Sequence, residues 1–99
     1  MSGSGQAVSE NTRYVMGGDV SWREVDGQVV CMHLDSGEYF TFNAVAGLVW
    51  KEVLAGKDMM EIGGVLQQRY NLSAEQSRAD ARSFVEHLLQ SGLIVPGQA

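Results

Sequence analysis

The chain has 99 residues, 44% of them hydrophobic and 19% charged, with a formal net charge of −5. That length supports one core in one domain, and that balance excludes a wholly disordered chain. The negative charge opposes general affinity for nucleic-acid backbones, and no apolar run approaches the ~20 residues of a membrane helix.

Residues 1–11 are polar and contain no apolar segment of a secretory signal. Cys31 is the single cysteine, so no internal disulfide is possible, which suits a reducing compartment. A soluble, cytoplasmic protein without membrane contact is the expectation. Residues 1–18 are rich in Ser and Gly and lack periodicity, so a flexible N-terminal arm is expected there. Tyr14, Val15 and Met16 are apolar enough to dock on the domain, which is expected to occupy residues 19–96.

Residues 19–25 read as a strand, with Val20 and Trp22 alternating against Ser21 and Arg23. Asp26-Gly27 is a two-residue hairpin signal. Residues 28–34 are apolar on both faces, as befits a middle strand, and Asp35-Ser36-Gly37 is a second turn. Residues 38–42 form a third strand with Glu38, Phe40 and Phe42 on one face and Tyr39 and Thr41 on the other.

Asn43 then caps a helix carrying Val45, Leu48, Val49, Trp50, Val53 and Leu54 and ending at Gly56. Asp58 caps a second helix that runs to Tyr70 and stops at Asn71. Gly63-Gly64 within it is a weak spot that close packing against a neighbour would justify. Ser73 and Gln76 have the spacing of a capping box at the start of a third helix. Ala81, Phe84, Val85, Leu88 and Leu89 form that helix's apolar stripe, and Gly92 ends it. Leu93, Ile94 and Val95 pack back or add a short extended piece before Pro96. The expected fold class is therefore α+β, a three-stranded antiparallel meander followed by three helices on one face of the sheet.

Signals for catalysis are sparse. His33 lies in a strand and His87 on the third helix, neither with a second ligand at metal spacing. There is no phosphate loop and no Gly-x-Ser-x-Gly elbow, and Cys31 has no neighbour that would activate it. No metal, no cofactor and no enzymatic activity of its own are expected. Three other features stand out. In an in-order meander the third strand is an edge, either covered by this chain's own arm or tail or open to an incoming strand. Arg78 and Arg82 share one side of the third helix, as a salt-bridged solvated face or as a positive patch for a carboxylate-bearing peptide. Trp22 and Trp50 fit core packing.

The run Asp35-Ser36-Gly37-Glu38-Tyr39-Phe40-Thr41-Phe42-Asn43, then Ala46 and Trp50, resembles the PqqD-like family. Gly56, the second helix to Tyr70, and the stretch from Asp80 to Leu89 leading to Gly92-Leu93-Ile94 extend the resemblance over residues 20–95. The resemblance implies a winged-helix-like recognition element for the leaders of ribosomally made, modified peptides. The leader would add as a strand along the backbone of Glu38, Tyr39, Phe40, Thr41 and Phe42. Ala81, Val85 and Leu89, or their neighbours on the sheet-facing edge of that helix, would line the groove, and Arg78 and Arg82 would meet acidic leader residues. The short stand-alone form is most similar to the lasso-peptide adaptors, which deliver a precursor to a separate leader peptidase. The alternative within the family is a chaperone presenting a precursor to a radical enzyme of pyrroloquinoline quinone synthesis. A winged-helix DNA-binding regulator would need a basic third helix, but Arg78 and Arg82 are set against Glu75, Asp80 and Glu86. A small enzyme or cofactor binder would rest on Cys31 or His33.

Overall fold

The structure is a computed structural model that describes residues 12–97. Its elements are β1 (Tyr14–Met16), β2 (Val20–Val25), β3 (Gln28–His33), β4 (Tyr39–Phe42), α1 (Ala44–Leu54), α2 (Met59–Tyr70), α3 (Ala74–Gln90) and β5 (Ile94–Pro96). The α+β expectation, a three-stranded antiparallel sheet followed by three helices, is borne out.

β2 and β3 pair with Val25 opposite Gln28, so Asp26 and Gly27 alone make the turn. Both have positive φ, 54° and 79°, as a type I′ hairpin demands. β4 pairs with the other side of β3, with Cys31 opposite Phe40, giving the order β2-β3-β4. Alternation then assigns the faces. Val20, Val29, Cys31 and Phe42 are buried under the helices, while Arg23, Val25, Tyr39 and Thr41 are exposed on the outer face.

Each helix starts at a side-chain cap. Asn43 Oδ1 accepts from the Ala46 N–H at 2.8 Å, Asp58 Oδ1 from Glu61 N–H at 2.9 Å and Ser73 Oγ from Gln76 N–H at 3.0 Å. Glu61 returns the favour by accepting from the Asp58 N–H, which completes a capping box. That hydrogen bond, then one from Arg13, holds the Glu61 carboxyl below its usual range. The box expected at Ser73 is half formed, because the Gln76 amide instead donates to Asp80 one turn on, at 2.9 Å. Trp50 is fully buried in the core, edge-on to the half-buried Trp22 at 6.0 Å and tilted against Phe42 at 5.9 Å, so Trp22 packs against the core that Trp50 helps form.

Within the stretch expected as an arm, the apolar run Tyr14–Met16 docks on the domain as β1. β1 pairs antiparallel with β5, Val15 opposite Val95, and Tyr14 and Ile94 are 3% and 1% exposed. Gly17 donates to Leu93 O at 2.9 Å and Gly97 to Arg13 O at 2.8 Å. The Arg13 guanidinium reaches Glu61 at 3.0 Å and the Gly56 carbonyl, pinning the start of this ribbon to the α1–α2 turn. Burial of Tyr14 and pairing with β5 outweigh the glycine-rich composition around them. The part of the expected arm in residues 1–11 lies outside the described residues.

Candidate functional site

Among the described residues β4 has a strand partner on one side only. The register shows which backbone groups are left over. Glu38 O accepts from the His33 N–H at 3.0 Å, and Phe40 and Phe42 face Cys31 and Val29 across the same ladder. In an antiparallel pair alternate residues use both backbone groups on the same neighbour. Phe40 and Phe42 therefore spend theirs on β3, as does the Glu38 carbonyl (the Glu38 N–H donates to Ser36 Oγ), while the N–H and C=O groups of Tyr39 and Thr41 point to the free edge. The edge expected from the sequence is present, and its open hydrogen-bonding groups belong to Tyr39 and Thr41.

Beside that edge lies a depression of about 190 Å³ lined by Thr41, Phe42, Asn43, Ala46, Phe84, His87 and Leu88. Its floor is apolar and its rim is polar (Thr41, Asn43, His87). α3 runs antiparallel to β4 across it. Phe84 lies near Asn43 and Ala46, where β4 turns into α1, and Ser91, just past the end of α3, hydrogen-bonds to His33 beside the start of β4. A larger hollow, about 470 Å³, spreads over the outer face between Arg23, Val25, Val30, Met32 and Tyr39. We assign the site to the smaller one, because it lies between the free edge of β4 and α3, so that an added strand would meet helix side chains there, whereas the larger hollow is lined by sheet and turn residues alone.

The expected site residues divide sharply. Tyr39, Phe40, Thr41 and Phe42 form the edge strand, and Glu38 precedes it in the turn. Ala81 and Val85 are 0% exposed and packed in the core, so neither presents a surface to a ligand. At about 100° per residue, Phe84 and Leu89 stand at opposite edges of a stripe spanning about 140°. The edge next to β4 is Phe84 with His87 and Leu88. Leu89, Arg78 and Arg82 fall on the far flank, where Arg78 borders a hollow with Met60, Gly63, Gly64 and Gln67 of α2. Phe84, His87 and Leu88, neighbours of Ala81, Val85 and Leu89 on α3, line the depression beside β4, and Leu89, Arg78 and Arg82 are not among its lining residues. The spacing of Phe84, His87 and Leu88 at i, i+3 and i+4 was available in the sequence as the alternative edge of the same stripe. The sequence marks Asn43 as a helix cap and Ala46 as part of the family pattern but neither as groove lining, although β4 passes into α1 through Asn43 alone.

Chemistry beyond binding finds little support among the described residues. No three His, Cys, Asp or Glu side chains gather where a metal could sit. Cys31 is fully buried, and burial pushes its thiol up to about 12. No described helix is long and apolar enough to cross a membrane.

An α+β domain with an open strand edge facing a helix across an apolar groove is a peptide-binding class of architecture. The comparisons agree with that class. Residues 28–94 match the family model described as "Coenzyme PQQ synthesis protein D (PqqD)", and the chain belongs to this family. No curated protein matches the chain. Among solved structures it is similar to "TbiB1 in Complex with the TbiA(beta) Leader Peptide", with 28% identity and a TM-score of 0.77 over 86% of this chain and 98% of that one. It also shares its fold with "Lasso peptide synthetase B1 complexed with the leader peptide", at 23% identity and a TM-score of 0.79 over 85% of this chain and 99% of that one.

Proposed function

We propose that this protein holds the leader of a ribosomally made precursor peptide as an added strand on β4 and presents it to a separate processing enzyme, the leader peptidase of lasso-peptide biosynthesis. The observation that carries this reading is the free edge of Tyr39 and Thr41 facing Phe84, His87 and Leu88 across an apolar groove. The 28%-identical neighbour, described as a leader-peptide complex and covered over 98% of its length, supports the choice of ligand. Backbone pairing would supply affinity and the groove would select side chains. The protein would act without chemistry of its own, raising the effective concentration of the scissile region at the partner's active site. The family description favours a second reading, in which the peptide is the precursor of pyrroloquinoline quinone and the partner a radical enzyme. The same edge would serve both.

The test is fluorescence anisotropy with a labelled synthetic leader of the precursor encoded beside this chain, against a scrambled leader. Selective binding at micromolar concentration or tighter supports the reading; equal binding of both peptides sinks it. Thr41→Pro sharpens the experiment. It removes an N–H that points to the free edge and spares the β3–β4 ladder, so it should abolish leader binding while the domain stays folded. Phe40→Pro, by contrast, breaks the pairing with Cys31 and should unfold the sheet.

A further inference from the structure

The two walls of the groove come from different layers, the sheet and the last helix, and His33 is attached to both. Its backbone N–H donates to Glu38 O at 3.0 Å and its C=O accepts from Gly37 N–H at 2.7 Å, which fixes the start of β4. Its side chain crosses to the helix, with Nε2 2.6 Å from the carbonyl of Ser91, the C-cap of α3. A carbonyl only accepts, so Nε2 carries the proton. The ring stands edge-on to Phe40 of β4, with centroids 5.7 Å apart and planes at 77°. On its other side is Gly92, at φ 74°, where a Cβ would lie 3.4 Å from ring atoms Cε1 and Nε2. The ring is therefore enclosed by Phe40, Ser91 and Gly92.

We propose that His33 is the positioning residue of the peptide groove, setting the distance between the free edge of β4 and the end of α3 so that one added strand fits between them. The proposal rests on the leader-binding reading above. An added strand needs about 4.8 Å from its neighbour, and its side chains must meet the helix at the same time. A spacing set before the peptide arrives removes an ordering cost from binding. The half-buried bond to Ser91 sets it at the Glu38 end of the groove, while the direct connection of β4 to α1 through Asn43 sets it at the other.

The experiment is leader affinity by anisotropy for wild type, His33→Leu, His33→Gln and His33→Asn, at a temperature where circular dichroism shows each folded. A glutamine amide reaches the place of Nε2, whereas an asparagine amide reaches only that of Nδ1. His33→Gln should bind within about threefold of wild type, and His33→Leu and His33→Asn should weaken binding about tenfold or more, the scale of a lost preorganised contact. If His33→Leu does not fold, the Gln and Asn pair decides by the same criterion. Equal affinities for Gln and Asn, or wild-type affinity in His33→Leu, overturn the proposal while leaving leader binding intact. A wild-type protein that ignores the leader overturns both.

Discussion

Cys31 faces Phe40 across the ladder with no exposed surface, and its thiol is pushed up to about 12 by burial alone. At pH 8 almost none of it is thiolate, the form that reacts. Iodoacetamide should therefore label the native protein only as fast as the domain opens, as followed by mass spectrometry; prompt labelling would restore the thiol-chemistry alternative. A second comparison at this scale separates the two flanks of α3. Arg82→Glu should leave leader affinity within about twofold, because Arg82 is not among the residues lining the depression beside β4, whereas Phe84→Ala should weaken it about tenfold or more, as loss of an aromatic anchor does. The reverse order would place the peptide on the flank beside α2. The sequence made both flanks visible but not the choice between them. The apolar stripe of α3 is wide, and which of its edges meets β4 depends on where α2 packs, a contact that local spacing does not encode.

At the scale of elements, what the sequence shows is what is decided within a few residues. The Asp26-Gly27 hairpin and the caps at Asn43, Asp58 and Ser73 all form, because each depends on side chains three positions away or less. Both pieces of the β1–β5 ribbon show as short apolar runs, but their pairing escapes such reading, since two three-residue strands far apart in the chain have no alternation to display. The paired glycines of α2 differ in their surroundings. A Cβ on Gly63 would be 3.8 Å from the α3 backbone at Ser77 and Arg78, an ordinary packing distance, so α3 lies beside Gly63 without requiring a glycine there. Gly64 is exposed, with nothing within 4 Å of its missing Cβ. Gly64→Ala should then raise stability to urea by about 0.5–1 kcal/mol through helix propensity. A loss of stability would mean that the α2 surface needs the glycine for something other than its own helix.

On the scale of the whole molecule, β1 is part of the domain. Tyr14 fills the core with 3% exposure, and truncating a buried aromatic costs about 3–5 kcal/mol. Tyr14→Ala should lower the urea midpoint accordingly, and a chain beginning at residue 17 should fare no better, since it also strips β5 of its partner. An unchanged midpoint for either would mean that the ribbon closes the fold without stabilising it. The sheet, α1 and α3 then act as one frame around the groove, since Trp50 of α1 joins Trp22 of β2 to Phe42 of β4, and His33 joins β3 to the end of α3.

The ribbon also brings the two ends of the described chain together, with Gly97 hydrogen-bonded to Arg13. A polypeptide that comes in and goes out at one place behaves as a bead on a string. Such a unit can be spliced into a surface loop of a larger protein, or its ends can be joined and reopened elsewhere, without stretching the strand and helix that frame the groove. The recognition function would then travel as cargo, indifferent to whether its host is attached before it, after it or on both sides.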